Sequence, residues 1–108
     1  MCKYVHLAEN KHGNIRYCRH CKTYSVGYSN LLINLSDSGM ELFKIDLMHC
    51  YDYHIEHQYS EYRDLRNVTI ATGVEGLSFL FSTNEVGELL ALIQEAQMNM
   101  AMSHTPSS

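Results

Sequence analysis

The sequence has no tryptophan, one proline and no run of about 18 apolar residues in its 108 positions. A helix that spans a bilayer needs about 20 mostly apolar residues in succession, so we expect no membrane-spanning segment. The first residues, Met1 to His6, contain no apolar stretch of the kind found in a secretory signal. We therefore expect a cytoplasmic location, where thiols stay reduced.

Sequence motifs of common catalytic sites are also missing. There is no glycine-rich phosphate-binding loop, no Gly-x-Ser-x-Gly motif and no His-Glu-x-x-His motif. Low-complexity blocks and a recognisable interdomain linker are absent too, and this length is typical of one domain. The sequence therefore predicts a single domain over residues 1–108 and no enzymatic activity.

The formal net charge of −4 is unevenly distributed along the chain. Residues 1–24 hold five basic side chains and one acidic one, whereas residues 25–108 hold three basic and eleven acidic ones. A basic segment can bind an anionic partner such as nucleic acid. It is more often a solvated surface, so nucleic-acid binding is the alternative hypothesis and not the first.

Two of the four cysteines, Cys18 and Cys21, form a Cys-x-x-Cys pair. Thiolates three positions apart can bind one metal ion, and tetrahedral zinc binds cysteine sulfur at about 2.3 Å. In a reducing compartment, such a pair favours metal or redox chemistry over a disulfide scaffold. Two other interpretations stay open: inert buried thiols, and a thiol redox protein that uses Cys18 and Cys21.

The residues before and within the pair alternate as the strands of a hairpin, over residues 3–8 and 15–18. In the turn between them, Gly13 could adopt positive φ. A turn centred near His12 places Cys18 opposite His6 or Leu7. The hairpin then brings together four predicted zinc ligands, Cys2, His6, Cys18 and Cys21.

The fourth ligand position has alternatives. Cys2 and His6 would be about 13 Å apart on a fully extended strand, so both can bind one metal only if the chain bends between them. The other candidates are His20, His49, Cys50 and His57. Residues 49–57 belong to a predicted helix whose polar face also carries Asp46 and His54. A ligand from this helix requires residues 24–35 to form one long strand, because a tight turn at Ser29-Asn30 would leave Cys50 far from the pair.

After the cysteines the chain repeats itself with an offset of 46 residues, so that residues 26–36 align with residues 72–82. The identical pairs are Gly27 and Gly73, Leu31 and Leu77, and Ser36 and Ser82. Each copy predicts a strand, a turn, a second strand and a helix. The two serines are placed to cap the helices, and Ser82 with Glu85 has the capping-box spacing.

The complete prediction is an α+β domain. Apolar residues at helical spacing predict helices from about Asp37 to Tyr59 and from about Thr83 to Met100. The predicted segments are a cysteine-bearing hairpin over residues 1–23, ββα units over residues 24–62 and 68–102, and a frayed tail over residues 103–108. We expect one antiparallel sheet built from the hairpin and the two ββα repeats, with both helices packed on one face.

The segment Tyr17-Cys-x-x-Cys21, followed by Gly27-Tyr-Ser-Asn30 and an apolar strand, resembles a family of short bacterial proteins of unknown function. Members have roughly this length, an early Cys-x-x-Cys, a similar turn, and a following strand and helix. The resemblance implies no activity, cofactor or catalytic residue. The early part is also similar to half of a zinc ribbon, in which the second cysteine pair is represented at best by Cys2 and His6.

The favoured hypothesis is therefore a small cytoplasmic domain with a structural zinc ion that acts through a protein partner or a second copy of itself. Open sheet edges would offer surfaces for such association. So would the methionines near the C-terminus, which are Met98, Met100 and Met102.

Overall fold

The computed structural model describes residues 3–57 and 60–103. Six strands, two long helices and one 3₁₀ turn follow one another along these residues. They are β1 (Tyr4–Glu9), β2 (Gly13–Cys18), β3 (Thr23–Tyr28), β4 (Leu31–Ser36), α1 (Asp37–His57), the 3₁₀ turn (Ser60–Tyr62), β5 (Arg66–Ala71), β6 (Ser78–Ser82) and α2 (Thr83–Ser103). The α+β class is confirmed, and so is the order of strand, strand and helix in both predicted units.

The strands are divided between two antiparallel sheets. Strands β1 to β4 form a four-stranded sheet in chain order, and β5 and β6 form a two-stranded sheet. The expectation of one continuous sheet is corrected by this arrangement. Turn residues and alternation indicate which consecutive strands pair, but they carry no information on whether one hairpin adds to the edge of another.

The chain divides into two compact units, one of Met1–Leu42 with Ala91–Ser108 and the other of Phe43–Leu90. The first unit contains the four-stranded sheet, and its buried residues include Ile15, Val26 and Ile93. The second contains β5 and β6, and its buried residues include Leu47 and Leu89. Neither α1 nor α2, the two long helices of the described residues, combines the length and apolar character that a membrane crossing requires.

Serine side chains cap both helices as predicted. Ser36 Oγ accepts the N–H of Gly39 at 3.1 Å, in the first turn of α1. At α2, Ser82 Oγ accepts the N–H of Glu85 at 3.1 Å, and Glu85 Oε1 accepts the N–H of Ser82 at 2.8 Å. These two reciprocal bonds are a complete capping box. At the far ends, α2 continues past the predicted Met100 to Ser103, and the predicted end of α1 at Tyr59 lies outside the described residues.

The register of the first hairpin differs from the predicted one. Cys18 pairs with Tyr4, and His6 pairs with Arg16. Cys18 therefore lies opposite neither His6 nor Leu7. His6 is two positions along β1 from the partner of Cys18, in the diagonal relation in which side chains on antiparallel strands are about 7–8 Å apart.

Two local features cause the shift in register. The turn begins early because Asn10 Oδ1 accepts the N–H groups of His12 and Gly13, both at 2.9 Å. A bulge between His6 and Ala8 then shifts the pairing by one more residue. Alternation of side chains does not reveal a bulge, since one unpaired residue leaves a pattern that still reads as a strand.

Strands β3 and β4 are joined by a tight turn of two residues, Ser29 and Asn30, and Tyr28 pairs with Leu31. Ser29 has φ 55°, which is the positive value that the first residue of a type II′ hairpin turn requires. Its N–H donates to the carbonyl oxygen of His12 at 2.8 Å. Residues 24–35 are therefore two strands, and the condition for a zinc ligand from α1 is not met.

Candidate functional site

The Cys-x-x-Cys pair lies on the turn that joins β2 to β3, where Cys18 pairs with Thr23 at the base of the turn. Lys22 has φ 56°, an uncommon value for a residue other than glycine. Its N–H donates to the carbonyl oxygen of Cys18 at 2.7 Å. The N–H of Cys21 donates to Cys18 Sγ at 3.3 Å. Two backbone N–H groups of the turn thus donate to Cys18, one to its carbonyl oxygen and one to its sulfur.

The cysteines of the described residues are in different states. Cys18 is a free thiol with no exposed surface, whereas Cys21 is exposed and takes part in a disulfide. Cys50 is also free. The remaining cysteine of the sequence, Cys2, lies outside the described residues.

The other predicted ligand, His6, is exposed on β1. Its side chain is 52% exposed, and its Nε2 lies 3.4 Å from Glu9 Oε1. Within residues 3–57 and 60–103, no three His, Cys, Asp or Glu side chains are grouped in a way that could hold a metal ion. Of the four predicted ligands, the structure places Cys18 and Cys21 together and His6 diagonally across the strands.

The histidines His54 and His57 on α1 pack against an aromatic ring. The rings of His57 and Tyr53 are 4.3 Å apart and 18° from parallel, and His57 Nδ1 lies 2.8 Å from the Tyr53 carbonyl oxygen. His54 packs against the same tyrosine ring, edge to face, at 5.3 Å. Burial raises the pKa of the Cys50 thiol, and the negative charge of Asp46 adds to that rise. A raised pKa disfavours the thiolate that binds metals.

A basic depression adjoins the cysteine turn. Its volume is about 480 Å³, and its lining residues are Lys3, Tyr4, Val5, Arg19 and His20. The Arg16 guanidinium lies over the Tyr4 ring, 4.5 Å from the ring centroid, while Tyr4 remains 46% exposed. The sequence indicated the excess of basic residues in this segment, but not the depression, which depends on the observed register of β1 and β2.

Most tyrosines of the four-stranded sheet belong to its core. Tyr17, Tyr24 and Tyr28 are buried, and the rings of the first two are 4.8 Å apart. Burial raises the pKa of both Tyr17 and Tyr24, and the negative charge of Asp37 raises each pKa further. Among the described residues, Tyr4 is therefore the tyrosine of this sheet whose ring can contact a ligand.

Comparison with known proteins identifies a family and no function. Neither a search of the curated proteins nor a search of the solved structures returned a match. A family model described as a family of unknown function, DUF6686, matches residues 1–105. The resemblance to a family of unknown function that the sequence suggested is thereby confirmed in its coarse form, whereas zinc binding and a zinc-ribbon relation stay predictions. The chain belongs to the DUF6686 family.

Proposed function

We propose that the protein is a small cytoplasmic zinc-binding domain in which Cys2, His6, Cys18 and Cys21 hold a structural zinc ion. The observation that carries the proposal is the turn around Cys18, whose sulfur accepts the N–H of Cys21 at 3.3 Å. Hydrogen bonds to an ionised acceptor are roughly twice as strong as those between neutral groups. The turn therefore already directs a hydrogen-bond donor at the sulfur that would bind the metal.

A thiolate at Cys18 would need a counter-charge, because this position is buried. Cys18 has no exposed surface, and a buried ion without a counter-charge costs several kcal/mol of folding free energy. A zinc ion supplies that counter-charge directly and binds two or more thiolates at one point.

Zinc binding requires the reduced form of Cys21. A thiol reductant transfers two electrons to the disulfide, the S–S bond breaks, and its two sulfurs become thiolates. In this proposal the thiolates of Cys2, Cys18 and Cys21 provide three sulfur ligands, and His6 provides the fourth. His20, which lies in the turn between the two cysteines, is the alternative fourth ligand on this hairpin.

A zinc ion with four protein ligands is a structural site, because catalysis needs an open coordination position. The proposed domain therefore acts by binding a protein partner or a second copy of itself. Strands β1 and β4 are the edges of the four-stranded sheet. An exposed edge strand offers unpaired backbone groups to which a partner strand can add.

Zinc content is the first measurement. We expect about one zinc ion per chain, by elemental mass spectrometry, in protein purified under reducing conditions without a chelator or histidine tag. Cys18→Ser should lose the metal and unfold at a lower temperature, because a structural zinc ion contributes folding free energy. His6→Ala and His20→Ala identify the fourth ligand, since removing a ligand weakens zinc binding and removing the other histidine does not.

Cys50→Ser is the matched control. It also replaces a free cysteine by serine, but on α1, so it should retain the zinc ion. A wild-type protein without zinc after reduction would refute the proposal. Equal zinc loss in Cys18→Ser and Cys50→Ser would refute it as well, because the loss would then reflect unfolding.

Thiol redox chemistry is a second candidate function, favoured by the disulfide of Cys21 beside the free thiol of Cys18. In this case, two electrons from a dithiol substrate reduce the disulfide and the substrate becomes a disulfide. We expect turnover with a dithiol substrate when a small-molecule disulfide is supplied as the oxidant that re-forms the protein disulfide. Cys21→Ser should abolish this turnover and Cys50→Ser should preserve it. Stoichiometric zinc, together with no turnover, would exclude this candidate.

A further inference from the structure

We propose that the basic depression beside the cysteine turn binds a nucleotide unit of single-stranded nucleic acid, with the base against Tyr4 and the phosphate near Lys3 and Arg19. This proposal concerns a surface that adjoins the zinc site and shares with it only His20, the alternative fourth ligand. It rests on the charge, the aromatic ring and the size of the depression.

The charge of the depression favours phosphate. Lys3, Arg19 and His20 line it, and Arg16 stands beside it over the Tyr4 ring. Residues 1–24 contain a single acidic side chain, Glu9, whose carboxylate lies 3.4 Å from His6. Contacts between Lys or Arg and phosphate supply most of the affinity of sequence-independent nucleic-acid binding.

The exposed ring favours a nucleotide over other anionic ligands, because a base can stack on it. Proteins that bind single strands combine a basic groove with aromatic side chains on which bases stack. Tyr4 provides such a ring, since it is 46% exposed. Arg16 lies 4.5 Å from the ring centroid, where a cation is attracted electrostatically to the ring. An acidic peptide would use the cations but would gain little from the ring.

The depression has room for one small ligand. Its volume of about 480 Å³ falls within the range of about 300–1,000 Å³ that is usual for small-molecule sites. A base with its sugar and phosphate fits this scale, and flanking nucleotides would then extend over the exposed surface of the hairpin. A free nucleotide has the same chemistry, so the experiment compares both forms.

The test measures binding of a fluorescent single-stranded oligonucleotide by anisotropy at several salt concentrations, with a mononucleotide as competitor. We expect Tyr4→Ala to weaken binding about tenfold, which is the effect of losing one base–aromatic stack. Arg19→Ala should reduce the slope of log affinity against log salt by about 0.7, the value for one phosphate contact on a single strand. Tyr4→Phe should bind like the wild type, because it keeps the ring.

Tyr53→Ala is the matched control, because Tyr53 is 58% exposed on α1 and should not affect binding. Competition by the mononucleotide with similar affinity would support a free nucleotide as the source of the ligand. No binding at low salt would overturn the proposal. It would also be overturned if poly-glutamate competed equally well and Tyr4→Ala bound like the wild type, since charge alone would then explain the affinity. The zinc content of each variant is measured in parallel, so that loss of the metal and loss of this site are distinguishable.

Discussion

Replacing Gly13 by alanine is expected to lower the free energy of unfolding by about 3 kcal/mol, the upper end of the cost of overpacking. A Cβ atom at Gly13 would overlap the carbonyl oxygen of Gly27 and would lie 3.1 Å from the Cα of Tyr28. Both are backbone atoms of β3, so no side-chain rotation can relieve the contact. Strands β2 and β3 would have to separate at Gly13, which pairs with Tyr28.

Two other variants distinguish between two reasons for a glycine at position 13, which are the close approach of β3 and a positive φ angle. Gly27→Ala places its Cβ no closer than 3.7 Å to any neighbour, so it should be neutral or stabilising by about 0.5–1 kcal/mol. Gly13→Asn tests the expectation of positive φ, a conformation that asparagine tolerates. Gly13 does not have positive φ, which among the described glycines is found at Gly73 and Gly76. Gly13→Asn should therefore be as destabilising as Gly13→Ala.

Urea unfolding measures these differences, provided that the slope m is unchanged among the variants. We expect the free energy of unfolding of Gly27→Ala to equal or exceed that of the wild type. Gly13→Ala and Gly13→Asn should both lie below the wild type, at similar values. A Gly13→Ala variant within 0.5 kcal/mol of the wild type, the range of ordinary surface substitutions, would contradict the close strand contact.

Features that depend on a few neighbouring residues were predictable from the sequence. Both helices have 21 residues and begin directly after a capping serine, Ser36 or Ser82. The offset of 46 between their first residues, Asp37 and Thr83, is the offset of the sequence repeat. Caps act through bonds over three residues, so the local sequence contains the information that places them.

Identical residues of the repeat nevertheless differ in structure. Gly27 lies within β3, where it pairs with Asn14 and Leu32. Gly73 lies in the connection between β5 and β6 with φ 87°. The first repeat closes its hairpin with two residues and the second with six, residues 72–77. Loop length depends on which strand residues pair, and the apolar pattern does not specify that pairing.

The candidate site likewise combines features set by neighbouring residues, which were predictable, with features set by strand pairing, which were not. The position of Cys18 and Cys21 at a turn between strands is local and was predicted. The neighbours of that turn depend on the early turn at Asn10 and on the bulge in β1, which together put Tyr4 and not His6 opposite Cys18. The spacing of the two cysteines does not determine their chemical state either, because a Cys-x-x-Cys pair can bind a metal, form a disulfide or remain reduced.

The second large effect is expected at Glu85, where Glu85→Ala should lower the free energy of unfolding by about 2–3 kcal/mol. The substitution leaves the buried N–H of Ser82 without the carboxylate that accepts it at 2.8 Å, and an unsatisfied buried donor costs about 1–3 kcal/mol. It also removes the bonds from Arg66, which donates Nε to Oε1 at 3.0 Å and Nη2 to Oε2 at 2.8 Å. Because the Arg66 side chain is 60% exposed, we assign this ion pair no more than about 1 kcal/mol.

The capping box was visible in the sequence, but the arginine was not, because Arg66 is 19 residues away from Glu85. Arg66 pairs with Ser82 across the β5–β6 ladder, and this pairing brings its guanidinium to the first turn of α2. Hydrogen bonding to Arg66 is the largest cause that holds the pKa of Glu85 below its usual value, while partial burial opposes it. The ionised carboxylate is therefore favoured in the folded protein.

This direction of the pKa shift determines how stability depends on pH. The contribution of ionised Glu85 is present above the pKa of an unfolded glutamate, about 4.3, and is lost as the pH falls through the lower folded value. Glu85→Gln keeps an acceptor for the Ser82 N–H but removes the charge. It should cost about 1 kcal/mol at neutral pH, and the difference from the wild type should disappear in acid, where the wild-type carboxyl is also neutral.

Glu95→Ala is the matched control, because Glu95 is an exposed glutamate on the same helix, and it should change stability by less than about 0.5 kcal/mol. Urea unfolding at neutral and acidic pH distinguishes the two parts of the Glu85 effect. The part of the Glu85→Ala cost that persists in acid is due to the lost helix cap. The cost of Glu85→Gln, which disappears in acid, is due to the lost ion pair with Arg66. If Glu85→Gln were equally destabilising at both pH values, the carboxylate charge would have no role, and the shape of the hydrogen-bonded side chain would be what α2 requires at its first turn.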